Sequence, residues 1–586
     1  MDNNDNYWLR FRDRRIDRRT VLNYGALGGS ALATAALIGC GDDDDDAPEP
    51  TSSDGAPQPT ATPESEEYPA NFQDPAGSPK AGGTFRIAND WDVSIVDPIK
   101  TAAGGTIVKC NLVYNRLISL NTGISAASDT SLKLVQELSK LPEQPDNLTY
   151  TFKIPANVKF QSVAPLNGRL MTAEDIVYAY NRFATAQGSV HTVYFQDVDK
   201  MEAVDATTVK ITLKTPNPDF VIPLGSRYLT IHPRELVEGN LIETTAVGTG
   251  PMILKEMVKG DHVTLLKNPD YWRAKVHLDG MEFRIQPDAS SRLAAFRAGQ
   301  VDFSYGLLGS VRDAENLKGT NKDVTIQSAK PVAGVFALSL NLDNPKFTDE
   351  RVRQALMLGM DRDTMVEVIY DGYGTVIPTI PWSFLYDKEP GPENFGKWWK
   401  YDPAEAKKLL SAAGAENLSF KVIYHEYGAS TNTQPLEIMS DTYKQIGVNM
   451  EVARVPYTEF NSQWIQRTFE EATDGWQALG FDANNFFYNH IHSTSPSNRW
   501  RIKDTQLDQW AVKQRTELDA TARKAIHKQI WDRVLDKAYR IEKPSGVGFT
   551  AYQPWTRGLR FGGPLLSNTS YYEWGMQIHD TWLDRA

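Results

Sequence analysis

Two cysteines in 586 residues set the terms on which this chain folds. One, Cys40, closes an apolar leader and reads as a lipid attachment point, so it is not free to pair with the other. No intramolecular disulfide is then possible, and the body is held by its apolar core alone. The length permits this, since single cores rarely grow beyond about 250–300 residues and this chain has room for two or three packed lobes. Cys110 lies in the apolar run Val108-Lys109-Cys110-Asn111-Leu112-Val113-Tyr114, with no His or Cys-x-x-Cys partner beside it. It reads as a small buried hydrophobe, not a reactive thiol.

The leader has the order of an export signal. Arg18-Arg19-Thr20-Val21-Leu22 resembles a twin-arginine signal, and an apolar stretch from Gly25 to Ile38 follows it. That stretch is too short and too rich in Gly and Ala to span about 30 Å of hydrocarbon. Leu37-Ile38-Gly39-Cys40 resembles a bacterial lipoprotein box, in which acyl chains on the Cys thiol give stable anchoring. Residues 41–79 hold eleven acids and no Lys or Arg, with Pro, Ser and Thr between them. A segment with so little to bury is expected to remain a disordered spacer. It also explains the acidity. Of the formal charge of −12, residues 1–40 hold +2 and 41–79 hold −11, which leaves −3 for 80–586. A near-neutral body without a basic stripe speaks against nucleic-acid binding.

From Gly82 the pattern changes. Thr149–Ile154, Val209–Leu213 and Met281–Ile285 alternate as strands. Thr172 caps a helix with Asp175 three residues on, and Ile176, Val177, Tyr180 and Phe183 form its apolar face. Asp402-Pro403 starts another, with Ala406, Leu409, Leu410 and Ala413 as its apolar face and Gly414 as its stop. The Arg351-Val352-Arg353 helix packs through Val352, Leu356 and Met360 and leaves its charges to solvent. Gly248-Thr249-Gly250-Pro251 lacks the Lys-Ser/Thr of a phosphate loop and reads as a tight turn before a strand. Strands and helices alternate without a repeat, so the class is mixed α/β.

Several segments together resemble the oligopeptide-type extracytoplasmic solute-binding proteins of ABC importers, solute-binding family 5. They are Gly82–Ile87, Val96-Asp97-Pro98, Val113–Leu117, Leu148–Ile154, Val158-Lys159-Phe160, Leu170–Val177, Val247–Pro251 and Asn268–Trp272. Asn341 with Phe347–Leu356, Met360-Asp361-Arg362, Gly372-Tyr373-Gly374 and Tyr401–Leu410 complete the series. The resemblance implies a two-lobed periplasmic-binding-protein-like fold with an extra domain inserted in lobe I. Lobe I is expected at 80–125, 229–330 and 546–586, the extra domain at 126–228, and lobe II at 331–545. It implies a monomer, tethered outside the membrane, that closes on a solute and presents it to a permease with its ATPase subunits.

The family's main contact segment resembles Gly475-Trp476-Gln477-Ala478-Leu479-Gly480-Phe481-Asp482-Ala483-Asn484-Asn485-Phe486-Phe487. Where relatives that bind short peptides pair an aspartate with the peptide's ammonium, this chain has Leu479. Asp482 matches the later Asp of an Asp-Pro-like turn, with Ala483 in place of Pro. A buried ammonium without a carboxylate is expensive, so a free amino terminus on the solute is in doubt while the transport role is not. Trp91, Trp382, Trp476, Phe481 and Trp500 are candidate ring walls of a pocket, although each Trp could equally pack a core. Arg499 is placed to bind a carboxylate or to sit at the surface. Thr106 and Tyr114 fall where lobe I approaches the solute. His490-Ile491-His492 puts two imidazoles on one side of a strand, too few for a metal centre; no metal or other cofactor is expected. No Gly-x-Ser-x-Gly, His-Glu-x-x-His or nucleotide fingerprint supports an enzyme. The solute class stays open between a peptide-like molecule and an oligosaccharide, opine-like compound or metal chelate. The role stays open between importer component and tethered sensor.

Overall fold

Alternation becomes sheet where the sequence places it. Thr208–Leu213 buries Val209, Ile211 and Leu213 and turns Thr208, Lys210 and Thr212 outward. It pairs antiparallel with Thr149–Lys153 on one side and Val198–Asp205 on the other, a three-stranded sheet. The helix Ala173–Thr185 covers this unit. The Asp175 carboxylate accepts from the Thr172 N–H at 2.9 Å, and Ile176, Tyr180 and Phe183 are buried while Val177 is half-buried. The structure, a computed structural model, describes residues 77–90, 92–93, 95–101, 104–120, 134–329, 336–425, 433–476, 482–559 and 578–585.

Two larger sheets carry most of the other described strands. A seven-stranded mixed sheet runs in the order Thr325–Ala329, Gly548–Tyr552, Phe303–Ser304, Thr84–Asn89, Gly280–Ile285, His262–Lys267, Met252–Val258. A five-stranded mixed sheet runs Asn449–Arg454, Ser419–Tyr424, Ala472–Trp476, Phe336–Leu340, Ile541–Glu542. The helix Pro403–Ala412 packs in the second unit, with Asp402 accepting from the Glu405 N–H at 3.0 Å and Gly414 in the left-handed region at φ +66°. Among the described residues, the apolar cluster around the five-stranded sheet, from Leu338 to Ile541, is separate from those of the other two sheets. Leu229, Ile231, Leu236, Ile242 and Val247 join the cluster of the three-stranded sheet. No described helix is long and apolar enough to cross a membrane.

The chain passes between the two large sheets after Ala329 and again through 541–552. In the second passage Ser545–Gly546 pairs with Gly374–Thr375 before the chain enters the strand Gly548–Tyr552. A Cβ on Gly546 would stand 2.3 Å from the Tyr370 ring, so this crossing requires glycine.

Two local expectations change. Gly248 and Gly250 precede a strand, but close approach demands them rather than a turn: a Cβ on either would lie 2.2 or 2.6 Å from the Val113 carbonyl at the end of helix Gly104–Val113. Arg353 is not solvated. It is buried and donates to the carbonyls of Phe347, Thr348 and Lys537 at 2.7–3.1 Å. Its five-donor fork satisfies the Lys537 carbonyl left open at the end of helix Ala520–Asp536 and two carbonyls at the end of the short turn Pro345–Phe347. Cys110 is buried as expected, and burial pushes its thiol up to about 12.

Candidate functional site

Among the described residues, the unit built on the three-stranded sheet meets the unit built on the five-stranded sheet through ion pairs, and their apolar clusters are separate. On the second side stand the helices Thr505–Thr516 and Ala520–Asp536 and the π-type turn Asn485–Asn489. Asp504 and Asp519 cap the two helices. Ile526, Ile530, Trp531, Val534 and Leu535 bury one face of the longer helix, which leaves Arg523 free to reach across. Its guanidinium holds both oxygens of Asp219, one of them at 2.7 Å. Arg515 holds both oxygens of Asp197 at 2.6 and 2.7 Å and lies over the Tyr488 ring. The Asn484 N–H donates to Asp219 at 2.9 Å, and Asn217 donates to Asp197 at 2.9 Å. A cavity of about 20 Å³ lies among these groups, lined by Tyr194, Asn217, Asn489 and the carboxylates of Asp197, Asp219 and Asp482. That is room for about one water.

Asp482 belongs to this junction. It is buried, accepts from the Asn485 N–H at 2.7 Å, and its carboxyl is pushed up to about 7, first by burial and then by the charge of Asp219. Behind it, Gln514 donates to Asn484 at 3.2 Å and meets His527 at 3.1 Å, while His527 stacks on Phe487 at 4.2 Å.

The other residues singled out by sequence are dispersed. Thr106 is buried and donates to the Ile95 carbonyl at 2.6 Å. Tyr114 is buried against Gly248, and burial raises its phenol well above the usual range. Trp382 is half-buried in the short turn Trp382–Phe384. Trp500 is fully buried, edge-on to Trp464 at 6.1 Å and under the Arg540 guanidinium at 4.2 Å. Arg499 stacks on Trp464 at 5.1 Å. The backbone of Trp476 pairs with Phe336. The Trp476 side chain, Trp91, Leu479, Phe481, Cys40, Arg18 and Arg19 lie outside the described residues. The His490-Ile491-His492 segment is not a strand. The N–H groups of Ile491 and His492 both donate to the Tyr488 carbonyl, a helical turn that sends His490 toward Phe486 and Trp500 and stacks His492 on Tyr488.

Sequence reading missed Asp197, Asp219, Arg515 and Arg523, whose pairings join positions 318 and 304 residues apart. It also missed the buried pair Lys543–Asp474, at 2.5 Å, although an Asp inside the strand Ala472–Trp476 is a visible sign of a buried charge.

Buried imidazoles predict a pH dependence. Burial is the main cause that lowers His191 and His232 to about 4 and His527 to about 3, against 6.5 in an open chain. Their contribution to stability is therefore complete above about pH 6.5. It is lost as pH falls toward 4, by up to about 1.4 kcal/mol per pH unit for each group. The melting temperature is expected to fall steadily between pH 7 and 5; a flat profile across that range would contradict the burial of these rings.

Comparison with known proteins adds four likenesses, one to a family and three to single proteins. The family model described as Bacterial extracellular solute-binding proteins, family 5 Middle, matches residues 133–498, more than half of the chain. The sequence is similar to heme-binding protein A of Haemophilus influenzae, 25% identical over 477 residues, covering 76% of this chain and 84% of that protein. It is also similar to glutathione-binding protein GsiB of Pectobacterium atrosepticum, 30% identical over 330 residues, covering 55% of this chain and 61% of GsiB. Among solved structures it resembles the ABC transporter-associated periplasmic binding protein DppA of Helicobacter pylori in complex with the peptide STSA. The TM-score is 0.71 at 22% identity, over 86% of this chain and 99% of that one. At that identity the likeness speaks for the fold, which is two-lobed and α/β.

Proposed function

The chain belongs to family 5 of the bacterial extracellular solute-binding proteins, and from that premise we propose that it is the substrate-binding component of an ABC importer. It captures a peptide or peptide-like solute between two closing lobes and hands it to a membrane permease. We assign lobe I to 80–125, 229–330 and 546–586, the extra domain to 126–228, and lobe II to 331–545. One observation carries the closing step: lobe II has its own apolar core and meets the extra domain through Asp197–Arg515 and Asp219–Arg523. An interface of ion pairs can be rehydrated on opening at far less cost than an apolar one. Relatives named for glutathione and for heme, and a structural neighbour holding a peptide, support small-solute capture without catalysis.

Leu479 favours a second reading within the same role. With no carboxylate at that place, the solute either lacks a free ammonium or is not a peptide, as an oligosaccharide, opine-like compound or metal chelate would be. In either case the chain works as a monomer, exported through Arg18-Arg19, anchored by lipid on Cys40 and set away from the membrane by residues 41–79. Mass spectrometry of solute released from the purified protein, followed by thermal-shift titration, tests the reading. Stabilisation should follow RT ln(1 + [L]/Kd), about 2.7 kcal/mol at a hundredfold excess over Kd. If peptides gave no shift while sugars or chelates did, the peptide reading would fall and the importer role would stand.

A further inference from the structure

The junction between the units of the three-stranded and five-stranded sheets holds more acids than cations. Three carboxylates, of Asp197, Asp219 and Asp482, line a cavity with room for about one water. Two guanidiniums serve them. Arg515 holds both oxygens of Asp197, and Arg523 holds both oxygens of Asp219. Asp482 accepts from the Asn485 N–H at 2.7 Å, and no cation among the described residues forms an ion pair with it.

The two buried acids come from opposite sides. Asp219 stands ahead of the short helix Val221–Leu224 in the first unit, and Asp482 ahead of the turn Asn485–Asn489 in the second. The Asn484 N–H, two residues from Asp482, donates to Asp219 at 2.9 Å, which makes the two carboxyls neighbours across the contact. The other titratable and charged groups packed about Asp482 do not supply its missing counter-ion. Tyr194, from the first unit's turn Thr192–Phe195, keeps its phenol protonated because burial raises it, and Arg227 lies beyond it over the Tyr228 ring. Tyr488 lies under Arg515. His527 meets Phe487 and Gln514 of its own unit, and burial lowers it to about 3, so it stays neutral around pH 7.

Three acids and two cations, largely out of water, leave one negative charge unmatched, and a buried unmatched charge is costly. A proton removes it. Neighbouring carboxyls hold one proton between them before both ionise. Because the Arg523 fork occupies both oxygens of Asp219, the place for that proton is Asp482. Burial and the charge of Asp219 push the Asp482 carboxyl up to about 7 in the junction. Once the units part and water reaches it, the ordinary carboxylate range near about 4 returns.

We propose that Asp482 is a proton latch: the junction takes up one proton on Asp482 as the two units meet and gives it back to water as they part. The inference rests on the reading that these units open and close, and adds that acidity favours the closed arrangement. Between about pH 4 and 7 the closed form holds a proton that the open form lacks. The closed-to-open ratio therefore falls as pH rises, by up to about tenfold per unit, and levels off above about 7.

Energy transfer between dyes on Val204→Cys and Val512→Cys tests this in the full chain, with no solute needed. Both positions are exposed, one on the strand Val198–Asp205 and one on the helix Thr505–Thr516 across the junction. Cys40→Ser and the burial of Cys110 confine the dyes to those two places. The closed-to-open ratio should rise about tenfold from pH 8 to pH 6. Asp482→Asn keeps an oxygen for the Asn485 N–H but never a charge, so at pH 8 it should already reach at least the ratio that the native junction reaches at pH 6, with no slope. Asp219→Asn, which frees the Arg523 fork for Asp482, should abolish the slope as well. A merely structural Asp482 would show as a lower melting temperature in Asp482→Asn with the slope intact, which overturns the latch. Equal ratios at pH 6 and 8 in the native junction overturn it too. Arg523→Ala separates this failure from failure of closure itself. If that variant lowers transfer while pH does not, the latch falls and closure stands; if transfer is the same in every sample, both fall.

Discussion

Lys543→Met is expected to destabilise lobe II by about 3–5 kcal/mol, read as a lower denaturant midpoint with an unchanged slope. The Lys543 ammonium and the Asp474 carboxylate are 2.5 Å apart, and their side chains are 3% and 2% exposed. Removing the ammonium leaves a carboxylate buried on the strand that leads into the contact segment. The pair also bridges the intervening strand Phe336–Leu340, because Leu338 lies in register with both Asp474 and Ile541, two residues before Lys543. Asp474→Leu in the Lys543→Met background should recover most of the loss, since an apolar pair of similar volume replaces a buried ion pair at little cost. If the single variant lost less than about 1 kcal/mol, the surface value for an ion pair, the burial of this pair would be contradicted.

The second large effect concerns closure. Arg523→Ala removes the cation from a buried Asp219 that has Asp482 as its neighbour, leaving two carboxyls facing each other across the junction. Truncating one partner of a buried, hydrogen-bonded charge pair costs about 2–5 kcal/mol. The cost is expected to fall on the closed arrangement, because among the described residues the units built on the three-stranded and five-stranded sheets share no apolar core. Apparent solute affinity is expected to drop by at least about tenfold, as a smaller fraction of molecules is competent to hold the solute. Asp219→Asn placed on top should restore part of it by removing the stranded charge. An affinity within twofold of wild type would mean that this contact plays no part in closing.

The scaffold was legible because its signals are local. Asp175 three residues after Thr172, Pro403 after Asp402, and the alternation of Val209, Ile211 and Leu213 each express a few neighbouring residues, and the structure keeps them. The junction between the units of the three-stranded and five-stranded sheets was not legible, because Asp197 and Asp219 find Arg515 and Arg523 only once separate units are assembled. Asp482 was read as a solute contact from its place in the segment, and its acceptance from the Asn485 N–H beside Asp219 had no local signal. The aromatic run Phe486-Phe487-Tyr488 has strand-like composition, and the His490–His492 stretch was read as strand. Helical hydrogen bonds to Tyr488 win there because packing, not propensity, decides a buried segment. Arg353 was hidden for a related reason: its partners are carbonyls, which carry no sequence signature. Arg499 was read either as a carboxylate binder or as a surface charge, and the structure lays it over the Trp464 ring at 5.1 Å.

Capture of solute by closure of two lobes is open to direct measurement. Small-angle scattering of the full chain, stripped of solute and then saturated with the solute that mass spectrometry identifies, tests it most directly. The account predicts a smaller radius of gyration on saturation, with Arg523→Ala needing more solute to reach the same contraction. Scattering that stayed unchanged while calorimetry showed saturated binding would contradict it.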